Sequence, residues 1–287
     1  MVRDRTLGSR IFEISNAVFL TIFAILTIIP VFYIIVASFT STGVITLPIT
    51  FSLDGYRYIF STNSILNGLG VSVYLTIVGT IFNLLFTSLM AYPLARTDLI
   101  GRRPIMFLVL FSMLFNGGFI PTYLVVKNLG LLDSLWSLIF VGLINAFNLI
   151  VLRNFFMQLP EALEESAKID GCNDYGILFR IILPLSGPAI ATFALFYAVG
   201  HWNAYFSAIL YINDPMKWPI QVWLRQIVIL SQGGIGDSLG TESATIMPPA
   251  SAIKNAVIVV ATVPIVMVYP FLQKHFTKGI LLGSIKG

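Results

Sequence analysis

Apolar residues fill this chain in blocks longer than a soluble helix requires, separated by short polar corners. No Asp, Glu, Lys or Arg occurs between Glu13 and Asp54, Arg57 and Arg96, Arg103 and Lys127, or Lys254 and Lys274. A helix rising about 1.5 Å per residue needs about 20 predominantly apolar residues to cross a hydrocarbon layer about 30 Å thick. Six segments qualify: about Ala17–Phe39 with a kink expected at Pro30, Asn67–Leu94, Pro104–Leu124, Leu135–Phe156 with Arg153 near one end, Pro188–Ile212, and Asn255–Gln273. The pattern predicts an all-α polytopic membrane protein with six spans forming a single domain over 1–287. Its long connections are 40–66 and 211–254, and a tail follows at 274–287.

The stretch 157–188 interrupts this pattern. Glu161, Glu164, Glu165, Lys168, Asp170, Asp174 and Arg180 make it a compact charged island between the fourth and fifth spans. Pro160 suits a helix first turn, where its missing N–H is not needed, and the glutamates that follow complement the helix dipole. Gly171 suits a left-handed cap at the end of that helix, and Asn173 or Asp174 can cap a second helix running to Pro184. The expected shape is helix, glycine corner, helix. On the first helix Leu163, Ser166, Ala167 and Asp170 fall at i, i+3, i+4 and i+7, which puts them on one face. The small Ser166 and Ala167 would allow another backbone to approach closely. On the second helix Ile177, Leu178, Ile181 and Ile182 would pack it under the spans. The residues alone leave two readings open, a rigid docking element or a helical loop whose charges face water.

Composition agrees with lipid as the solvent. The chain is 57% hydrophobic and 10% charged, against about 25% charged in soluble domains. The run after Arg10 is too long for a cleavable signal segment, so the first span is expected to be retained. Positive charge sets an orientation. With the N-terminus inside, Arg3, Arg5, Arg10, Arg96, Arg102, Arg103, Arg153, Lys168, Arg180, Lys274, Lys278 and Lys286 are cytoplasmic. Arg57, Lys127, Lys217, Arg225 and Lys254 are outside. Both termini and the island are therefore expected in the cytoplasm, and the corner 95–103 is a topology anchor. This distribution also argues against nucleic-acid binding.

Catalytic signals are missing. One cysteine, Cys172, and two histidines, His201 and His275, give no disulfide framework or metal-ligand pair. Gly233, Gly234 and Gly236 lack the lysine of a phosphate-binding loop, so no ATP site belongs to this chain. The spans lack ionisable residues at their centres, which argues against a proton- or sodium-coupled carrier. Their polar groups are Asn83, Asn116, Asn145, Asn148, His201 and Asn203. Each is read first as an interhelical hydrogen-bonding group. Trp202 and Tyr205 flank two of them, and Asn145, Asn148, His201, Trp202 and Asn203 form a candidate passage set. Trp218 and Trp223 suit a membrane interface.

Glu165-Ser-Ala167, three residues, Gly171, nine residues, Ile181, one residue, Leu183-Pro184 resembles the E-A-A motif of ABC importer membrane subunits. Ser166 departs from the usual Ala, small for small. The six spans and the closing Gly283-Ser-Ile-Lys-Gly287 are similar to the carbohydrate-uptake branch of type I permeases, in particular the maltose-permease G type. Within that branch Phe115-Asn-Gly-Gly-Phe-Ile-Pro121, His201-Trp-Asn203 and Lys278-Gly-Ile-Leu-Leu-Gly-Ser-Ile-Lys-Gly287 resemble permeases for oligosaccharides and polysaccharide fragments. The resemblance implies a permease subunit in a bacterial cytoplasmic membrane that translocates an oligosaccharide. Its implied partners are a second, different permease, an extracytoplasmic solute-binding protein, and an ABC ATPase dimer that holds the ATP and Mg. ATPase coupling would fall to Glu161, Leu163, Glu164, Glu165, Ser166, Ala167, Asp170, Gly171, Ile181 and Pro184. A second ATPase contact is implied at Lys278, Gly283 and Lys286, and a binding-protein contact at 211–254. Rival readings are a permease for a non-sugar solute and a membrane scaffold or sensor; a membrane enzyme ranks last.

Overall fold

In a computed structural model the described residues are 7–45, 50–232 and 248–283, with side chains described for 8–45, 50–229 and 248–268. Their regular elements are all helices, joined by turns and short irregular corners, with an isolated antiparallel bridge between Thr40 and Phe51. Among the described residues, three helices are long and apolar enough to cross a membrane, or up to five if two bent pairs each count as one span. The chain divides into two compact units, Met1–Thr62 with Leu224–Thr262 and Asn63–Trp223 with Val263–Gly287.

In the first unit, α1 (Leu7–Ser38) continues through Pro30 and leaves its apolar side chains exposed, as lipid contact requires. Its end is tied to α2 (Asp54–Ser61): the Ser38 and Tyr56 hydroxyls meet at 2.7 Å, and the Phe39 and Tyr56 rings lie 5.1 Å apart. The turn at 40–45 then packs on the start of α14 (Ala250–Gly283), where Asn255 Nδ2 donates to the Gly43 carbonyl at 2.8 Å. Gly43 has φ +70°, and a Cβ there would lie 2.2 Å from the Ala252 nitrogen. Both the dihedral and the approach require glycine.

The second unit is built on α3 (Asn63–Ala95), whose 33 residues span about 50 Å. The third predicted span is divided into α4 (Arg102–Leu114) and α5 (Phe119–Asn128), bent by 117°. The break falls at Asn116-Gly-Gly, where Asn116 Oδ1 accepts from the Gly118 N–H at 2.9 Å and Gly118 has φ +88°. This turn chemistry ends a helix regardless of its hydropathy. The fourth predicted span is likewise two helices, α6 (Leu135–Phe140) and α7 (Ala146–Phe156). Gly142 takes φ +88° in their break, and Asn145 Oδ1 caps α7 by accepting from the Asn148 N–H at 3.1 Å.

The island contributes α8 (Glu161–Ile169), α9 (Asp174–Ile177), a π-helical turn Leu178–Ile182 and α10 (Leu183–Leu185). The chain bends by 87° into α11 (Gly187–Trp202), followed by α12 (Phe206–Tyr211). The connection expected to be loop over 211–254 contains a short 3-10 turn at Pro215–Lys217 and α13 (Ile220–Gln232). The helical part of α13 was missed because Arg225 and Gln226 interrupt its apolar run. The glycine-rich 233–240 lies outside the described residues.

Among the described residues, two apolar cores lie along α3. One packs Leu75 with Val126, Ile139, Tyr211 and Val222; the other packs Ala91 and Leu94 with Leu152, Ile177, Ile182 and Phe193. Near the first core Trp218 and Trp223 meet at 5.4 Å, and the Trp223 ring covers Gly68 of α3. Asp133, at φ 61°, accepts from the Asp214 and Asn213 amides at 2.9 and 3.0 Å. Those amides, chiefly Asp214, hold its carboxyl below the usual range despite some desolvation, and Lys217 adds to this.

Gly43→Ala is expected to lower the stability of the detergent-solubilised chain by about 1–3 kcal/mol or more, since dihedral strain and a backbone clash coincide. Thermal unfolding monitored by tryptophan fluorescence checks this, and an unchanged transition would show that the turn is not packed as described.

Candidate functional site

The glycine corner follows from local hydrogen bonding. Pro160 stands at the N-cap of α8, one position earlier than expected, and the acidic Glu161 and Glu164 occupy the first turn. At the other end, the Gly171 N–H donates to the Lys168 carbonyl at 3.0 Å and the Cys172 N–H to the Ala167 carbonyl at 2.9 Å. With Gly171 at φ +81° this is the paired-bond helix ending that favours glycine. Asn173 then caps α9, its Oδ1 accepting from the Gly176 N–H at 2.8 Å.

The faces of α8 sort differently from the expected set. Leu163, Glu165, Ser166 and Asp170 are exposed, as is Ile169 at 87%. Ala167, expected beside Ser166 on the docking face, is buried in the protein's own core. Its small side chain lets α8 approach its own chain and presents nothing to a partner. Ile177, Leu178 and Ile182 are fully buried, Ile181 is partly buried, and Pro184 is exposed. The second arm of the island is therefore packed under the spans. An open depression of about 460 Å³ lies at the corner, lined by Gly171, Asn173, Tyr175, Phe179 and Arg180 among others. Tyr175 and Phe179 are exposed aromatics that the sequence pattern did not single out.

Arg96 was also missed. Placed just beyond α3, it forms ion pairs through Nη1 with Glu164 at 2.9 Å and Asp174 at 3.2 Å, and through Nε with Asp98 at 3.5 Å. It also donates to the Tyr92 hydroxyl and lies over that ring. One guanidinium thus joins α3 to both arms of the island. Burial opposes its charge, but Tyr92, Glu164, Asp98 and Asp174 together raise its pKa further. The charge difference between positions 96 and 164 was visible in the sequence; their proximity was not.

Four polar side chains, Asn83 and Thr87 of α3 with His201 and Tyr197 of α11, form a ladder between the two helices. His201 Nε2 and Asn83 Oδ1 lie 2.6 Å apart, and Asn83 Nδ2 donates to the Gly142 and Leu143 carbonyls at 3.1 and 2.8 Å. One level further along, the Thr87 and Tyr197 hydroxyls meet at 2.8 Å, and Tyr197 accepts from the Asn145 N–H at 3.4 Å. A Cβ on Gly79 would lie 2.4 Å from His201, so glycine there admits the imidazole. Within the passage set, His201 is held in the ladder, Asn145 caps α7, Asn148 and Trp202 are buried, and Asn203 is exposed at the end of α11. Lys278 and Gly283 fall within α14, but their side-chain surroundings, and Lys286 altogether, lie outside the described residues.

A family model described as "binding-protein-dependent transport system inner membrane component" matches residues 83–282, which include the whole island. Over 287 residues the chain is 59% identical to the polygalacturonan/rhamnogalacturonan transport system permease protein YtcP of Bacillus subtilis, covering 97% of this chain and 99% of that protein. It is 31% identical to the arabinooligosaccharides transport system permease protein AraQ of Halalkalibacterium halodurans, covering 92% and 93%. A chain from the crystal structure of a bacterial ABC transporter involved in import of the acidic polysaccharide alginate superposes with TM-score 0.86 at 33% identity, covering 94% of this chain and 98% of that one.

Arg96→Met removes the guanidinium while Glu164 stays largely covered, so the island should loosen by about 1.5–3 kcal/mol. Hydrogen exchange at 161–177 should rise while exchange in the middle of α3 is unchanged; equal protection in both proteins would refute the clamp. Asn83→Leu leaves two carbonyls in the break at 141–145 without a donor and is expected to cost about 1–2 kcal/mol, read as a lower melting temperature in detergent.

Proposed function

The chain belongs to the family of binding-protein-dependent transport system inner membrane components, and we propose that it passes an oligosaccharide across a bacterial cytoplasmic membrane under the drive of a partner ATPase. The observation carrying this reading is the island: an exposed α8 face, a left-handed glycine corner and an ion-paired anchor to a 33-residue apolar helix. A rigid element of this kind can pass a partner's movement to the spans, whereas a mobile loop would dissipate it.

The proposed ATPase contact consists of Glu161, Leu163, Glu165, Ser166 and Asp170 on the outer face, with Gly171 fixing the corner. Tyr175 and Phe179 are added to it. Glu164, Ala167, Ile181 and Pro184 are assigned to holding or continuing the island. ATP and Mg are assigned to the ATPase pair. A second contact through Lys278, Gly283 and Lys286 is retained as part of the proposal, with both termini cytoplasmic and six crossings in all. A different permease completes the pathway, and a solute-binding protein is expected to dock on the side of 211–254. Asn145 and Asn203, exposed at two helix breaks, are the members of the passage set proposed to meet substrate. His201, Asn148 and Trp202 support them.

The choice of an oligosaccharide rests on relatives named for polygalacturonan/rhamnogalacturonan and arabinooligosaccharide transport and on a neighbour from an alginate importer. Uptake of labelled oligosaccharides by the whole importer in proteoliposomes tests the proposal. Gly171→Val, which places a β-branched residue at positive φ, and Glu165→Lys should each insert normally. Each should lower ATP-driven uptake by roughly 5–150-fold, the usual span of a coupling free energy. Wild-type uptake in both variants would reject the coupling assignment, and uptake confined to non-sugar solutes would reject the substrate class.

A further inference from the structure

The corner between α3 and α4 carries positive charge that the fold does not neutralise. Arg102 Nε and Arg153 Nε both donate to the Leu94 carbonyl, at 3.0 and 2.8 Å, so two guanidiniums converge on one acceptor. Arg103 stands beside Arg102 in the first turn of α4. Basic side chains are unfavourable at this end of a helix, where the backbone dipole is already positive. The first turn of α4 has no acidic residue and no side-chain cap. Among the described residues, no ion pair involves Arg102, Arg103 or Arg153. The nearby Arg96 has three carboxylate neighbours.

These three arginines border one open cavity of about 750 Å³. None of its lining residues is acidic. Its remaining wall includes Met106, Phe107 and Leu110 on α4, and Phe107, Leu108 and Phe111 continue outward as exposed apolar surface. The cavity is therefore cationic at the polar end of α4 and hydrocarbon-like along the helix. A soluble anion would use the first part and leave the second in contact with lipid tails. An amphiphile with an anionic head uses both.

We propose that this cavity binds the headgroup of an anionic phospholipid, with the phosphodiester between Arg103 and Arg153 and an acyl chain along Phe107 and Leu110. Guanidinium groups suit this ligand because their forked donors match phosphate oxygens, and basic pockets between membrane helices recognise anionic headgroups by the same chemistry. The lipid supplies the counter-charge that α4 lacks and holds the ends of α3, α4 and α7 together. The site is independent of substrate and of ATPase docking.

The test uses the assembled importer in nanodiscs containing equal phosphatidylglycerol and phosphatidylcholine, transferred to mild detergent, with retained lipid measured by mass spectrometry. Wild-type protein should retain phosphatidylglycerol preferentially. Arg103→Gln should reduce that preference about fivefold, the contribution of one basic side chain near an anionic surface. Arg103 is the informative position because it does not hold Leu94, so its replacement leaves the end of α3 intact. Arg103→Lys should fall between the two. The proposal is overturned by equal retention of the two lipids in the wild type or by an unchanged ratio in Arg103→Gln. It is also overturned if inorganic phosphate at millimolar concentration displaces the lipid, which would mark a free-anion site. Loss of co-purifying ATPase with an unchanged lipid ratio would assign the arginines to a protein contact and overturn it equally.

Discussion

A helix interrupted inside hydrocarbon leaves amide and carbonyl groups that lipid cannot solvate, and the second unit is organised around meeting that demand. Asn83 reaches from α3 to the Gly142 and Leu143 carbonyls, and Tyr197 reaches from α11 to the Asn145 amide in the same break. The two side chains supply partners for two carbonyls and one amide in the break that divides an apolar segment into α6 and α7. They also fix α3 and α11 in register, through His201 on Asn83 and Thr87 on Tyr197. One requirement, satisfaction of a broken backbone, thus sets the position of the two helices on which the island depends.

The same demand recurs at the end of α3. Arg102 and Arg153 meet the Leu94 carbonyl, and Arg96 turns to the island two residues later. Four arginines within this corner and the end of α7 therefore have different roles. Arg96 holds the acidic arms of the island, Arg102 and Arg153 finish a helix, and Arg103 faces outward. A charge count treats them alike, whereas their acceptors distinguish them.

On the proposed reading, force applied to α8 enters α3 through Arg96 and Glu164 and through the core around Ala167 and Ile177. Because α3 is continuous over 33 residues and packs into a second core at its other end, displacement at the island can reach Tyr211 and Val222 without passing through a loop. The corner at Gly171 keeps the outward face of α8 and the inward face of α9 at a set angle. Its stiffness comes from the paired backbone bonds and from Asn173.

Much of this was legible in the sequence. Charge-free runs located α1, α3 and α14, since lipid makes hydropathy a direct readout of environment. Pro160, Gly171 and Asn173 located the island because capping chemistry is local and depends on residues a few positions apart. Hydropathy could not find the breaks at 115–118 and 141–145. Both are apolar or small in composition, and their existence depends on Asn116 bonding its own turn and on Asn83 arriving from another helix. The same limit hid the inward face of Ala167, which stands only about 100° around the helix from Ser166. The sequence alone determined that this is a helical membrane protein with a capped, charged island, because solvent partitioning and capping act over short range. Only the tertiary structure decided that Arg96 is the island's anchor and that Ala167 belongs to the core, because those depend on which helices meet.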